Sequence, residues 1–205
     1  MVKTAVFVSG NGSNLQALIR AKSLGEMNHV DLALVVSSKK DSYALVRAKE
    51  NNIKSVVIER RKYKDDIEGF EAELLPYLRE NNIELIVLAG FLTVFSSSFI
   101  SIYKDRIINV HPALIPSFCG KGFYGLRVHE AALAKGVKVS GATVHYVNED
   151  VDGGKIILQK AVEVKENDTP ESLQLRIMEQ AEWVLLPKAA ELVAKHIVED
   201  CDGRN

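Results

Sequence analysis

The chain has 205 residues, of which 47% are hydrophobic and 26% charged, and its formal net charge is −1. This composition is typical of one soluble globular domain, and its scattered Lys and Arg residues do not provide the basic stripe of a nucleic-acid-binding protein. The sequence has no apolar run of membrane-spanning length, and Cys119 and Cys201 lack a C-x-x-C spacing. We therefore expect a cytoplasmic protein in a reducing compartment, with neither nucleic acid nor membrane as a partner.

The N-terminal segment predicts a phosphate-binding turn. Residues 4–9 form a continuous β-prone run, and Gly10-Asn11-Gly12-Ser13-Asn14 then leads into a helical pattern. A strand, a glycine turn and a helix N-terminus together present free N–H groups and a positive dipole end to an anion. The dinucleotide fingerprint requires a third glycine where Leu15 stands, so we favour a phosphomonoester over NAD. A capped turn without any ligand is the alternative interpretation.

Strands and helices alternate through the rest of the first half, which predicts a right-handed, mostly parallel sheet flanked by helices, the α/β class. The basic run Arg60-Arg61-Lys62 follows the third strand, at the edge where open α/β sheets bind ligands. Asp41-Ser42 is expected to cap the second helix, and Pro76 to kink the third. The expected strands are 30–37, 54–59 and 84–89, and the expected helices are 41–51 and 66–81.

The stretch from Ile107 to Pro112 predicts a strand with chemistry on one face. Asn109 and His111 are two positions apart, so their side chains point to the same side of an extended backbone. An amide can donate to a carbonyl oxygen that becomes negative, and an imidazole can move protons near neutral pH. This pair suits acyl transfer to an amine. A buried strand with one satisfied polar pair fits the same residues equally well.

The sequence pattern changes after this strand, in the second half of the chain. A long glycine-rich loop is expected over 113–126, and its position beside the candidate strand favours a mobile cover over 118–126. Residues 139–147 and 156–164 predict an antiparallel strand pair joined by an acidic turn. His145 on the first of these strands could support the active-site turn, but a structural role is the favoured expectation. His129 and His196 are expected on helix surfaces. A helix at 128–135 and a final helix opened by Thr169-Pro170 complete the predicted elements.

Four motifs stand in the chain in the order found in one known family. Together they resemble the phosphoribosylglycinamide formyltransferases over nearly the whole sequence. These motifs are Ser9-Gly10-Asn11-Gly12-Ser13-Asn14, Leu88-Ala89-Gly90-Phe91, Asn109-Val110-His111-Pro112-Ala113-Leu114-Ile115-Pro116, and Val151-Asp152-Gly153-Gly154 followed by Ile156-Ile157-Leu158-Gln159.

The resemblance implies a role for each matching position. The activity it implies is formyl transfer from 10-formyltetrahydrofolate, as a co-substrate, to the amine of glycinamide ribonucleotide. Asn109, His111 and Asp152 match the catalytic trio. Asn109 and protonated His111 are expected to donate to the oxygen of a tetrahedral intermediate, and Asp152 is expected to raise the pKa of His111. The residues implied for ribonucleotide binding are Gly12, Ser13, Asn14 and Glu182. Those implied for folate binding are Arg61, Leu92, Thr93, Val94, Phe95, Asn109, Asn148, Glu149, Asp150, Val151 and Asp152.

Two departures from the family pattern and several alternatives accompany this interpretation. Thr93 stands where the family commonly has an arginine, and the loop over 118–124 is longer than in many members. A formyltetrahydrofolate hydrolase would use a similar trio, and a non-catalytic nucleotide-binding regulator would lack it. A methionyl-tRNA formyltransferase would need a further domain and a basic surface.

For the organisation of the chain, we expect a single formyltransferase domain over 1–205, with a phosphate-binding half (1–105) and a catalytic, folate-binding half (106–205). We expect a monomer or homodimer acting on small molecules. The spacing of His, Cys and carboxylate residues predicts no metal site.

Overall fold

The computed structural model describes residues 1–202, and side chains up to residue 200. Its strands form one seven-stranded sheet in the order β3-β2-β1-β4-β5-β6-β7. The strands are β1 (Val2–Val8), β2 (Val30–Ser37), β3 (Lys54–Val57), β4 (Leu85–Leu88), β5 (Ile107–His111), β6 (Val139–Tyr146) and β7 (Ile156–Glu163).

Helices connect and cover the strands. Two short irregular turns accompany them, a 3₁₀ turn at Arg60–Lys62 and a π-helical turn at Met178–Glu182. The α-helices are α1 (Ser13–Ser23), α2 (Tyr43–Glu50), α3 (Ile67–Glu80), α4 (Ser97–Ile102), α5 (Leu126–Lys135), α6 (Pro170–Ile177) and α7 (Trp183–Asp202). Within residues 1–202 no helix is long and apolar enough to cross a membrane.

The pairing confirms the predicted α/β sheet with an antiparallel C-terminal part. β1 through β5 pair in parallel, whereas β5 with β6 and β6 with β7 pair antiparallel. On β5, Asn109 lies opposite Leu88 of β4 on one side and opposite His145 of β6 on the other. The sheet register therefore places Asn109 between the loop that follows β4 and the side chains of β6.

The sheet has a hydrophobic layer on each face, because successive side chains of a buried strand point to opposite sides. Ile108 and Val110 belong to the layer that contains α1 and α7, whereas Ile107 belongs to the layer of α3 and α4. Asn109 and His111 alternate with Ile108 and Val110, so they lie on the α3 and α4 side. The side chains of Asn109 and His111 therefore share one face of the sheet, as their two-residue spacing predicted.

Some local expectations were wrong. Ser42 occupies the N-cap position of α2, but its hydroxyl donates to the Gly10 carbonyl at 2.6 Å instead of capping the helix. The helix after Thr169 is interrupted by the π-helical turn before it continues as α7. The helix α4 was not predicted, and β3 ends two residues earlier than expected. The side chain of Cys201 lies outside the described residues.

Candidate active site

A buried polar cluster forms where β5 meets the turn between β6 and β7. His111 Nδ1 lies 3.5 Å from Asp152 Oδ2, and the two side chains are 5% and 9% exposed. Asp152 Oδ2 also accepts a hydrogen bond of 2.9 Å from the Gly120 N–H. The strand β5 therefore supplies the imidazole, and the turn between β6 and β7 supplies the carboxylate. The loop after β5 holds this carboxylate through the Gly120 N–H.

The loop after β5 fixes the tautomer of His111. His111 Nε2 lies 2.9 Å from the Phe118 carbonyl oxygen, and a carbonyl only accepts, so Nε2 carries the proton. In the neutral ring, Nδ1 then presents a lone pair on the side of Asp152. Phe118 and Asp152 both have left-handed backbones, with φ of 50° and 57°. Such strain in two residues that contact one imidazole is typical of functional sites.

His145 holds the Asn109 amide from the neighbouring strand. Its Nδ1 lies 2.8 Å from the Tyr146 carbonyl, so Nδ1 donates, and the neutral ring keeps an acceptor lone pair on Nε2. Asn109 Nδ2 lies 3.2 Å from this nitrogen and donates to it. Asp152 Oδ1 is 3.6 Å from the same nitrogen. The expectation of a purely structural His145 is therefore incomplete, because the ring contacts two members of the predicted trio.

Burial decides the protonation of His111 in the free protein. Burial lowers the pKa of His111 below its ordinary value, and the Asp152 charge and the Phe118 carbonyl only partly oppose this. The expectation that Asp152 raises the pKa above about 6.5 was wrong in its net direction. Burial also raises the pKa of Asp152, but the contacts with His145, the Gly120 N–H and His111 outweigh burial and hold that pKa below its ordinary value. At neutral pH the pair is a carboxylate beside a neutral imidazole.

The glycine turn after β1 has the geometry of an anion site. Gly12 has φ of 73°, and a Cβ there would lie 2.6 Å from the Cβ of Ala44, so this position requires glycine. Ser13 and Asn14 open α1, whose first N–H groups have no acceptor within the helix. Arg47 of α2 braces the turn from outside, since its Nε donates to the Asn11 carbonyl at 2.9 Å.

Asn14 and Glu182 meet although 168 residues separate them. Asn14 Nδ2 donates to Glu182 Oε2 at 2.7 Å, and both residues are buried. Burial raises the pKa of Glu182, and the Asn14 amide opposes this. Glu182 belongs to the π-helical turn before α7, a type of turn that occurs frequently at functional sites. The hydrogen bond to Glu182 fixes the orientation of the Asn14 side chain, which lies directly after the glycine turn.

The loop between β4 and α4 is pinned at both ends and exposed in the middle. Phe91 and Phe95 stack in the core at 5.8 Å between ring centroids, whereas Leu92 and Val94 are 65% and 60% exposed. The structure therefore places the Phe95 side chain in the core, so that only its backbone can face a ligand on the loop surface.

A buried carboxylate fixes the far end of this loop. Glu71 of α3 accepts from the Ser96 N–H at 2.6 Å and from its hydroxyl at 2.5 Å. Ser96 also caps α4 by accepting from the Phe99 N–H. The exposed side chains of Leu92 and Val94 therefore project from a rigid frame.

Arg61 and the acidic turn are the remaining predicted folate residues. Arg61 lines a cleft together with Leu92, Thr93 and Val94, and its guanidinium pairs with Glu59 at 2.6 Å. In the acidic turn, residues 148–151 are exposed, and the Asn148 side chain accepts from the Asp150 N–H at 3.2 Å. The structure thus brings Arg61 next to the loop between β4 and α4, and a locally ordered turn holds Asp152.

The comparisons with known proteins identify the family. The sequence profile described as "Formyl transferase" matches residues 2–189. The chain belongs to the formyl transferase family. This confirms the resemblance that the four motifs indicated.

Several relatives of this family member carry a more specific name. A phosphoribosylglycinamide formyltransferase from Haemophilus influenzae is 37% identical over 91% of this chain and 84% of its own length. A chloroplastic protein of the same name from Arabidopsis thaliana is 40% identical over 87% of this chain and 61% of its own. The human trifunctional purine biosynthetic protein adenosine-3 is 41% identical over 96% of this chain, which spans 19% of it. The chain thus spans less than two thirds of the plant and trifunctional relatives.

A solved structure confirms the fold of this formyl transferase. The glycinamide ribonucleotide transformylase 1 of Symbiobacterium toebii superposes with a TM-score of 0.87 at 36% identity. The match covers 96% of this chain and 89% of that one.

Sequence reasoning missed four residues of the site and its frame. Arg47, Glu71 and His145 act through contacts between distant segments, which no spacing along the chain reveals. His129 was expected on a helix surface but is fully buried in α5. Among the described residues neither of its ring nitrogens has a hydrogen-bond partner, and burial together with His111 lowers its pKa to about 4.

Proposed function

We propose that this chain transfers the formyl group of 10-formyltetrahydrofolate to the amine of phosphoribosylglycinamide, a step of purine biosynthesis. The observation that carries the proposal is the buried cluster of Asn109, His111 and Asp152, in which an amide donor, an imidazole and a carboxylate meet. Amide transfer needs a donor to a developing oxyanion and a group that accepts a proton from the attacking amine. The cluster supplies both.

The order of proton movements follows from the tautomer of His111. The substrate amine attacks the formyl carbon, and its nitrogen loses a proton to His111 Nδ1, the ring nitrogen that carries the lone pair beside Asp152. Asp152 stabilises the imidazolium that forms. The second N–H of the Asn109 amide donates to the oxyanion, while the first is held by His145. The proton then passes to the folate nitrogen as the carbon–nitrogen bond to it breaks, which leaves the formylated amine.

The two substrates would approach from different sides of this cluster. The glycine turn and the N-terminus of α1 suit the single phosphate of a ribonucleotide, with Glu182 beside Asn14 as an acceptor for a ribose hydroxyl. The loop over 92–94 and the acidic turn at 148–151 suit the folate donor, largely through backbone groups. Asn109 lies between these regions, because β5 is adjacent to β4.

The experiment measures consumption of 10-formyltetrahydrofolate by the purified chain in three parallel reactions. One contains phosphoribosylglycinamide, one the same compound without its phosphate, and one no acceptor. We expect consumption with the ribonucleotide, a much higher KM for the dephosphorylated acceptor, and little consumption without an acceptor. Equal release of formate in the third reaction would identify a hydrolase instead. Binding of the ribonucleotide without any consumption would identify a non-catalytic regulator.

Other properties remain predictions at this point. We infer one domain, with its phosphate-binding half before residue 106 and its catalytic half after it. A monomer or homodimer located in the cytoplasm is the state that we expect. Gel filtration with light scattering tests the oligomeric state, and localisation of a tagged chain tests the cytoplasmic location.

A further inference from the structure

The glycine turn after β1 is not held in place by α1 itself. Gly12 is the N-cap residue of α1, and among the described residues no side chain caps this helix. The Gln16 N–H donates to the Gly12 carbonyl at 2.9 Å, so the backbone N–H groups of residues 13–15 have no acceptor within α1. Under the proposed function, on which this inference rests, these N–H groups bind the ribonucleotide phosphate. Their direction must therefore be fixed from outside the turn.

The N-terminal end of α2 supplies this outside support. The Ser42 hydroxyl donates to the Gly10 carbonyl at 2.6 Å, and the Ala44 N–H donates to the same oxygen at 3.4 Å. Ala44 also lies so close to Gly12 that a Cβ on Gly12 would be 2.6 Å from the Ala44 Cβ. The backbone of the turn is therefore positioned by α2, the neighbouring helix, through direct contact.

Arg47 of α2 joins the turn to the first part of α1. Its Nε donates to the Asn11 carbonyl at 2.9 Å, and its Nη2 donates to Asn11 Oδ1 at 3.4 Å. Its Nη1 donates to Gln16 Oε1 at 2.8 Å. The guanidinium lies over the Tyr43 ring, 4.9 Å from the ring centroid. Along the chain, Asn11 precedes the free N–H groups and Gln16 follows them, so one planar group fixes both ends of the segment that carries them.

We propose that Arg47 is a positioning residue for the acceptor substrate. It holds the glycine turn in the conformation that binds a phosphate, and it thereby sets the preference of the chain for a phosphorylated over a dephosphorylated acceptor. Arg47 acts through Asn11 and Gln16, to which its three nitrogens donate.

The charge of Arg47 and its fork of donors would have different consequences. A positive charge beside the turn attracts an anion whichever cation carries it, so lysine would replace arginine in that role. The fork holds acceptors on Asn11 and Gln16 together at a fixed separation, which the single ammonium of lysine does not reproduce. The proposal assigns the effect to the fork, so Arg47→Lys should behave like a variant without the side-chain charge.

The test measures the KM for phosphoribosylglycinamide and for the same compound without its phosphate, in the wild type, Arg47→Gln and Arg47→Lys. We expect the KM for the phosphorylated acceptor to rise roughly tenfold in both variants, since hydrogen bonds from a charged donor are lost. The KM for the dephosphorylated acceptor, the KM for 10-formyltetrahydrofolate and kcat should stay close to the wild-type values. The matched control is Arg20→Gln, which removes the same charge from an exposed arginine in the last turn of α1 and should change none of these constants.

A second variant tests the contact between Arg47 and α1. Gln16→Met removes the acceptor of Nη1 and keeps a side chain of similar length. It should raise the KM for the phosphorylated acceptor by roughly two- to threefold. In the Arg47→Gln background the same substitution should add almost nothing, because residues that act through one contact are not additive.

Three results would overturn the inference while leaving the transfer activity established. The first is an unchanged KM for the phosphorylated acceptor in Arg47→Gln, even with a lower melting temperature, since Arg47 would then serve only the stability of the fold. The second is a wild-type KM in Arg47→Lys, which would assign the effect to charge. The third is an equal rise in the KM values of both acceptors, which would mean that Arg47 does not act on phosphate recognition. Absence of any transfer by the wild type would refute the proposed function itself.

Discussion

The proposed catalytic cluster on β5 and the basic cleft beside β3, which Lys39, Lys40, Arg61 and Lys64 line, hold charge in opposite ways. In the cluster, the side chains of His111, His145 and Asp152 are 5%, 2% and 9% exposed, and each has a fixed partner. In the cleft, the Arg61 side chain is 73% exposed, and the lysines lie in solvent. Electrostatic interactions are strong in a buried site, whereas water and salt screen them at the surface.

This difference in burial predicts that the cluster sets the rate of transfer and that the cleft contributes to affinity for the donor. A buried cluster whose donors are already oriented needs no reorganisation when charge develops in the transition state. An exposed cleft adds many small interactions that act on the bound and reacting donor alike, and such uniform binding changes KM more than kcat. Substitutions in the two regions should therefore differ in size and in the kinetic constant that they change.

Asp152→Asn should have the largest effect. It removes the charge that stabilises the His111 imidazolium while almost preserving the size of the side chain. We expect kcat to fall by about 10²–10³, the usual loss for one electrostatic contact to a transition state. The pKa of His111 should fall further, because burial would no longer be opposed by the carboxylate. Steady-state kinetics and NMR titration of the imidazole measure these two effects.

Asp105→Asn is the matched control for that substitution, since this exposed aspartate lies outside the site and has the same left-handed φ of 57° as Asp152. It should leave kcat and the titration of His111 close to those of the wild type. Near-normal turnover of Asp152→Asn would show that Asp152 only shapes the turn and takes no part in catalysis. An unchanged His111 titration together with low turnover would mean that Asp152 positions substrate or water.

His129 should make the stability of the fold depend on pH. Burial lowers its folded-state pKa to about 4, whereas the unfolded value is about 6.5. The unfolded chain therefore binds a proton that the folded chain resists, so stability falls as the pH drops through 6.5 toward 4. Between pH 7.5 and pH 5 the loss attributable to this group should be about 2 kcal/mol.

Urea unfolding at pH 7.5 and pH 5 measures this loss, with His129→Leu as the comparison. The free energy of unfolding of the variant should fall less between the two pH values than that of the wild type, by the same amount. His196→Leu, on the exposed face of α7, controls for the loss of any histidine. Equal pH dependence in the wild type and in His129→Leu would show that His129 is protonated in the folded protein.

His145→Phe should have a smaller effect on rate than Asp152→Asn. It removes the acceptor that orients the Asn109 amide but leaves the amide itself in place. We expect kcat to fall roughly 10- to 100-fold, less than the loss of a whole oxyanion donor, with little change in either KM. His145→Gln, which retains an acceptor, should recover part of the rate. A rise in KM without a fall in kcat, or no recovery of the rate in His145→Gln, would contradict a positioning role.

The sequence predicted the fold well where local signals and the sheet agree. Val30–Ser37 was predicted with the bounds that the structure has, because the apolar run over 32–36 is followed by polar residues from Ser37 onward. The helix α4 was missed because its 6 residues make fewer than two helical turns, too few for an apolar pattern to repeat. Its stability comes from Phe99 in the core and from Ser96 as cap. The π-helical turn was also missed, since the helical pattern of residues 170–202 continues through it.

The candidate site was predictable as residue types but not as a hydrogen-bond network. The two-residue spacing of Asn109 and His111 and the motif around Asp152 named the reacting groups. Their net charge state could not be predicted, because it depends on how deeply β5 is buried and on the Phe118 carbonyl. His145 joins the cluster only through the antiparallel register of β6, in which it stands opposite Asn109. Such tertiary contacts have no signal along the chain.

Glu59→Gln should have the smallest effect and the opposite sign, since it removes a negative charge from the basic cleft. Glu59 is ionised at neutral pH, because the contacts with Lys62 and Arg61 lower its pKa. Without this carboxylate, Arg61 and Lys62 are free to pair with a carboxylate of the folate donor, so the KM for 10-formyltetrahydrofolate should fall by roughly twofold. Because screening weakens exposed charges, 0.5 M NaCl should abolish the difference. Glu68→Gln, an exposed carboxylate of α3 outside the cleft lining, should not change this KM. A higher KM in Glu59→Gln would instead mean that Glu59 acts mainly by orienting Arg61, and the cleft would then share the preorganisation that distinguishes the catalytic cluster.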